Sequence, residues 1–387
     1  MKKNNLENIT EKAIREDPYC YTLTEMAAVM GEDEAKAFFY SLYNEKPKAK
    51  YQTVKIKEVF NGSDTRKYAF ELSDGYCIET VCIRRKTGTT VCVSTMVGCP
   101  VGCIFCASGK NGFIRNLTAS EIVQQVTLLK EKVNRIVFMG MGEPLFNYDS
   151  LIKSIHILRD RNGLNFPTDG INISTVGPVA QLRKLREEHL KIQLTLSLHA
   201  TDQTTRNMVM PHMRGNDINE VVEAVLSYSE RHNRKITVAY LLIPGVNDGP
   251  ANVRQLAKWF RNKNVLINVL QYNETDCNKI KRPNKQQLVA FKLKLEAAGL
   301  EVKLRESRGN KIKAACGQLV SKYNKVDKAD TKSQGRISSD CRNNIGTGNS
   351  STKSADDVKP SSHKPFVKPK KERTPKKKKI IACAIAK

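Results

Sequence analysis

The sequence predicts an α/β protein whose core is a parallel sheet, either open or curled into part of a barrel. A small accessory domain is expected before it and a disordered basic tail after it. Three observations carry this expectation. Short apolar runs alternate with amphipathic segments from "NRIVFMGMGEP" to "LEVKLRESRG", the pattern of repeated strand–helix units. Chemically conspicuous residues fall at the carboxy ends of those runs, the edge on which such folds place their active sites. From Ser321 onward the periodicity gives way to Ser, Asn, Gly, Pro and Lys, which bury too little surface to offset their ordering entropy.

Residues 1–74 read as the accessory domain. There "TLTEMAAVMGEDEAKAFFYSLYNE" has helical spacing, and "TVKIKEVF" and "RKYAFEL", with "YCIETVCIRR" just beyond the boundary, form a hairpin-rich bridge into the core. The core, residues 75–320, contains "TASEIVQQVTLLKEKV", a helix opened by Thr118 and Glu121 at capping-box spacing. Asp217 and Glu220 stand in the same relation before "NEVVEAVLSYSERH". The buried strands are "NRIVFMGMGEP", "GINISTVG", "KIQLTLSLHA", "RKITVAYLLIPG", "NVLINVLQYN" and "LEVKLRESRG". These are too few for an eightfold barrel, so a partial one is expected. Residues 321–387 form the tail, ending in a basic arm, "KPFVKPKKERTPKKKK", suited to phosphates.

Composition narrows the function. With 65 Lys and Arg against 39 Asp and Glu, the net charge of +26 implies a polyanionic partner, nucleic acid first. No apolar run follows basic residues at the amino terminus, and no window approaches the roughly eighteen apolar residues of a membrane span. A cytoplasmic protein without a membrane partner is expected. In a reducing compartment, eleven cysteines point to metal binding or catalysis where they cluster. They cluster once, as Cys99, Cys103 and Cys106 in "MVGCPVGCIFCASGK". Cys20, Cys77, Cys82, Cys277, Cys341 and Cys383 have no partner at ligand spacing and read as structural. Three thiolates so spaced can hold three irons of a 4Fe-4S cube and leave the fourth open for chemistry. Structural zinc would want a fourth ligand, which the spacing does not provide, but a zinc-stabilised RNA-binding protein stays open as an alternative.

This cysteine spacing resembles that of the radical S-adenosylmethionine (SAM) superfamily. The motifs "TVCVSTMVGC", "FMGMGEPLFN", "ISTVG", "LSLHA", "PGVND" and "RGNKIKAACGQL" together resemble the RlmN and Cfr adenosine methyltransferases within it. The resemblance implies a (β/α)6 radical-SAM barrel, a 4Fe-4S cluster on Cys99, Cys103 and Cys106, and SAM contacts at Gly142, Glu143, Ser174, Ser197, Leu198, His199 and Asn273. It further implies that Cys316 takes a methyl from one SAM, and that a radical made from a second activates that methyl to add to an adenine carbon. Glu79 would then accept a proton from the substituted carbon, and Cys92 would release the product by forming a disulfide with Cys316. The implied substrate is an adenosine of 23S rRNA, with tRNA as a second candidate and flavodoxin or ferredoxin as electron donor. C2 is the expected target carbon, and the Cfr-like C8 reaction is the alternative. The sequence departs from the family pattern in its shorter amino-terminal region, in Gln271-Tyr272 before Asn273, in Thr95-Met96, and in the added tail.

Overall fold

The computed structural model describes residues 8–45, 48–275 and 280–324. The tail beyond Asn324, for which disorder was expected, lies outside them, as do Cys277, Cys341 and Cys383.

The amino-terminal helical stretch is three helices, α1 (Glu11–Glu16), α2 (Leu23–Met30) and α3 (Glu32–Asn44). Thr22 and Glu25 close a capping box at the start of α2, and the last two helices meet at Gly31. Along α3 the buried residues Ala35, Phe39, Leu42 and Tyr43 make one apolar stripe. The Tyr19 and Phe39 rings pack on Tyr43 with centroids 5.7 and 4.7 Å away. The Ser120 hydroxyl donates to Asp17 at 2.5 Å, and Lys153 lies 2.7 Å from Glu25, so this layer is docked on the core helices.

One ten-stranded sheet runs through the rest. Its antiparallel part is β1 (Val54–Asn61), β2 (Thr65–Leu72), β3 (Cys77–Arg85) and β4 (Gly88–Cys92). A small antiparallel pair follows, β5 (Met96–Gly98) with β6 (Phe113–Asn116). Parallel strands β7 (Val133–Phe138), β8 (Ile171–Thr175), β9 (Gln193–Ser197), β10 (Ile236–Leu241), β11 (Val265–Leu270) and β12 (Val302–Arg305) then extend from β4 in chain order. Between them run α4 (Ala119–Thr127), α5 (Tyr148–Arg159), α6 (Val179–Glu187), α7 (Gln203–Val209), α8 (Ile218–His232), α9 (Pro250–Phe260) and α10 (Lys285–Ala297). This is the partial (β/α)6 barrel, with one additional parallel strand. Strands β4 and β12 do not pair, so the barrel is open along one seam. The arc nevertheless curls: the Arg305 guanidinium, at the end of β12, lies 3.8 Å from the sulfur of Met139, just past β7.

The Thr118–Glu121 box is complete. At α8 only half of one forms, because Asp217 caps the helix while the exposed Glu220 carboxylate turns to Arg183 at 3.1 Å. The α4 helix also stops at Thr127, short of the helical-looking stretch that contains it. It is buried almost throughout, and two glutamines stitch it to the sheet. Gln124 accepts from the Thr53 and Val54 backbone N–H groups and donates to the Thr53 hydroxyl. Gln125 accepts from the Thr80 hydroxyl at 2.7 Å and the Ser94 N–H at 2.8 Å, and donates to the Ser94 carbonyl at 2.9 Å. Replacing Gln125 by Leu strands three buried polar groups. At about 1–3 kcal/mol for each, we expect a loss of about 3 kcal/mol or more, read from urea denaturation. An unchanged unfolding midpoint would refute this account of α4.

Among the described residues, no helix is long and apolar enough to cross a membrane.

Candidate active site

The cysteine loop leaves the sheet after β4 and is closed at its base by the β5–β6 pair, where the Cys99 N–H donates to the Gly112 carbonyl at 2.9 Å. This closure needs glycine: Gly98 has φ 79°, and a Cβ there would lie 2.1 Å from the Gly112 oxygen. The loop's far side is held by the carboxy-terminal segment, with the Ala107 N–H donating to Gly317 O at 2.7 Å and the Ser108 hydroxyl to Leu319 O at 2.6 Å.

Around the half-buried Cys99 and Cys103 lies a second apolar cluster that includes Val101, Val176, Val209, Met210, Ile243 and Tyr272. Burial pushes the Cys99 thiol up to about 12, with the Cys106 charge adding to the rise. It raises Cys103 and Cys106 as well. Three thiolates gathered in so apolar a place need a compensating cationic group. Part of the compensation comes from a residue the sequence did not single out. Arg206, fully buried on α7, donates to Val176 O at 2.5 Å and Leu198 O at 3.4 Å, and its charge acts on Cys103 and Glu143. A lone Arg in "DQTTRNMV" carries no sequence signal of burial.

A mononuclear tetrahedral site would bring sulfurs to about 3.8 Å of one another at ordinary zinc–sulfur lengths. Among the described residues, no three His, Cys, Asp or Glu side chains converge in that way. A cube asks for a wider arrangement, since each thiolate takes its own iron. The donor chemistry and the apolar shell suit that group. So do two buried polar atoms that have no hydrogen-bond partner among the described residues, Thr95 Oγ1 beside the Gly142 turn and Asn273 Oδ1 beside Cys316, as polar groups open to a ligand.

Gly142 follows β7 with φ 107°, and a Cβ there would sit 2.7 Å from Met96 and 2.8 Å from Thr95 Oγ1. Only glycine lets this turn lie against the cysteine loop. The buried Glu143 carboxylate accepts from the Thr175 hydroxyl at 2.6 Å, Val176 N–H at 2.9 Å and Leu145 N–H at 3.1 Å. Burial still raises it to about 7. The bonds from Thr175 and Val176 tie the loop after β7 to the end of β8, and with the local one from Leu145 they leave about one lone-pair site for a ligand ammonium. Ser174 and Ser197, on adjacent strands, bring their hydroxyls to 3.3 Å.

His199 takes a left-handed backbone, φ 55°, and its Nδ1 accepts from the Leu241 N–H at 3.0 Å. Burial, with Arg206 nearby, depresses its pKa to about 3, so the ring is neutral with its proton on Nε2. The Leu198 side chain, by contrast, lies in the main core, and its carbonyl is taken by Arg206 and the Ala200 N–H. Asn273 donates from Nδ2 to the Cys316 carbonyl at 3.0 Å.

Cys316 is exposed, whereas Cys92, at the end of β4, is buried. Cys92 is pushed up to about 12, first by burial and then by the charge of Cys316, while Arg305 acts in the opposite sense. A cationic neighbour is therefore present, but burial outweighs it and Cys92 rests as a thiol. On β3, Glu79 is not the solvated residue that a lone hairpin glutamate usually is. It is buried, with Oε1 2.8 Å from Lys67 Nζ and Oε2 accepting from the Val320 N–H at 3.0 Å. Val81 pairs with Cys92 and with Lys67, so Glu79, Lys67 and Cys92 share one face of the sheet. The structure thus links Glu79 to the Cys316 segment through Val320, that segment to Asn273 and to the cysteine loop, and Glu143 to the end of β8, while the Leu198 side chain lies in the core.

Comparison with known proteins agrees with this geometry. Residues 93–257 match the family model described as the radical SAM superfamily. A probable RNA methyltransferase of Rhodopseudomonas palustris is 49% identical over 258 residues, 67% of this chain and 72% of its own length. A probable dual-specificity RNA methyltransferase RlmN of Pseudothermotoga lettingae is 42% identical over 267 residues, 68% of this chain and 78% of its own. The crystal structure of a radical SAM methyltransferase from Sphaerobacter thermophilus superposes with a TM-score of 0.74 at 34% identity, covering 79% of this chain and 99% of that one. A partial barrel with three cysteines in the loop after its first strand, in a sequence similar to these relatives over most of their length, leads to one assignment: the chain belongs to the radical SAM methyltransferase family that contains the RlmN-type RNA methyltransferases.

Proposed function

We propose that this protein methylates C2 of an adenosine in 23S rRNA, with tRNA as a further substrate, through a methylated Cys316 and a covalent RNA intermediate. The observation that carries the reading is the placement of Cys316. It is an exposed thiol on a loop tied on one side to the cysteine loop through Gly317 and Leu319, and on the other to Glu79 through Val320. Cys99, Cys103 and Cys106 would hold the 4Fe-4S cluster; Gly142, Glu143, Ser174, Ser197, His199 and Asn273 would hold SAM, while Leu198, with its side chain in the core and its backbone already bonded within the fold, would set the course of the chain between Ser197 and His199. Once bound, cluster and SAM supply the radical that activates the methyl on Cys316. Cys316 takes that methyl by displacement, so each turnover uses two SAM molecules, with a flavodoxin or ferredoxin as electron source. Glu79 accepts the proton from the substituted carbon, and the C–H electron pair stays with the ring. Cys92 then attacks the Cys316 sulfur to form a disulfide, the sulfur–methylene bond breaks with its electron pair going to carbon, and the proton given up by Cys92 completes the methyl and frees the RNA. The disulfide's two electrons balance those used to cleave SAM, so the donor's single electron would be returned.

The net charge of +26 supports a polyanionic substrate, the naming of relatives as dual-specificity RNA methyltransferases supports action on RNA, and the cytoplasm is the compartment proposed for it. The test is mass-spectrometric mapping of methyladenosine in rRNA and tRNA from cells with and without the gene. We expect 2-methyladenosine to disappear from both with the gene. Loss of 8-methyladenosine instead would overturn the assignment of the carbon.

A further inference from the structure

Glu79 is held from two directions by groups that belong to different parts of the molecule. Lys67, from β2, reaches Oε1 at 2.8 Å; this is a buried ion pair, with the two side chains 8% and 6% exposed. The Val320 N–H, from the carboxy-terminal segment, reaches Oε2 at 3.0 Å. That segment continues as a strap across the antiparallel sheet. The Asn324 amide makes two 2.8 Å bonds with the Cys77 backbone, Lys322 lies 2.8 Å from Glu58, and the Tyr323 hydroxyl donates to Glu58. Only Gly317, Gln318 and Leu319 separate Val320 from Cys316.

We infer that Lys67 is a positioning residue for Glu79, and that the Val320 N–H makes the same carboxylate sensitive to where the Cys316 loop lies. Lys67 keeps the acceptor charged and fixes one oxygen. The strap fixes the other for as long as the Cys316 loop stays seated, so the lone pair freed for the incoming proton depends on the position of the loop that delivers the methyl. The inference rests on Glu79 being the proton acceptor.

A consequence in pH follows. The charged groups facing Glu79 are Lys67 from β2 and Lys322 from the strap, and the Cys92 thiol of β4 shares its face. Burial raises the Glu79 pKa, and Lys67 is the foremost influence lowering it again. Without Lys67 the value rises further, so the carboxylate fraction at any given pH falls and the acid limb of the rate moves to higher pH.

The test follows the covalent RNA adduct on denaturing gels in anaerobically reconstituted full-length enzyme, each rate divided by that of the native enzyme at the same pH. Lys67→Met should load methyl on Cys316 normally, resolve the adduct about tenfold more slowly or worse at pH 7, and recover most of the deficit near pH 9. Lys67→Arg should resolve it within about threefold of native across the range. Val320→Pro, which deletes the second donor, should move the limb the same way and keeps the idea testable if Lys67→Met does not fold. Glu79→Gln should stall at every pH. A stalled Glu79→Gln beside a Lys67→Met profile superimposable on native would overturn the positioning role and leave Glu79 as the acceptor. A fully active Glu79→Gln would remove the acceptor reading, and the inference with it.

Discussion

Cys316→Ala is expected to take no methyl from SAM and to leave no RNA bound to protein, whereas Cys92→Ala is expected to load methyl on Cys316 and then trap the RNA on it. The two thiols are alike in composition and opposite in setting. Cys316 is exposed on a loop that Asn273 holds by its carbonyl, as the proposed methyl acceptor requires. Cys92 is buried and rests protonated, pushed up to about 12, so it is a poor nucleophile until the site rearranges. That is the right disposition for a residue needed last. With labelled RNA on a denaturing gel, the slow band should be near-stoichiometric for Cys92→Ala and absent for Cys316→Ala, with turnover in both reduced to background. If neither variant forms adduct while both still bind SAM and RNA, the covalent route is wrong.

The second large effect concerns the cluster. Changing Cys103 to Ala should reduce bound iron and sulfide from about four of each per chain to near none, and methylation with them. Cys103 is packed into the apolar cluster beside Arg206, and its removal leaves two thiolates, too few to hold a cube against water and chelators. The same result is expected for Cys99 and Cys106. Iron and sulfide analysis after anaerobic reconstitution is the measurement, with retention of activity in Cys103→Ala as the contradicting result.

What was legible in the sequence was local. The parallel strands after β4, the Thr118–Glu121 box and the cysteine loop each announce themselves within a few residues, by period, by a cap or by spacing. The family motifs placed Gly142, Glu143 and His199 at strand ends without stating their geometry. Motif reading treats every letter of "LSLHA" alike, although the Leu198 side chain faces the core and His199 the mouth. The Asp217–Glu220 pair had box spacing, but Arg183 competes for the glutamate. Arg206, Lys67 and Arg305 were missed for one physical reason. Each matters through partners that the fold brings near: Lys67 meets Glu79 across the paired strands β2 and β3, Arg206 reaches the Val176 and Leu198 carbonyls, and Arg305 reaches Met139 as the arc curls.

The closure at the base of the cysteine loop has a thermodynamic consequence. Because β5 and β6 join the loop's two ends through protein bonds, its chain entropy is surrendered during folding of the barrel, before any iron arrives. Metal capture then draws on an already ordered segment, unlike the small domains in which ligation and folding are a single event. A cluster lost to oxygen could therefore be rebuilt on folded protein, and the cell would repair this enzyme without having to make it again.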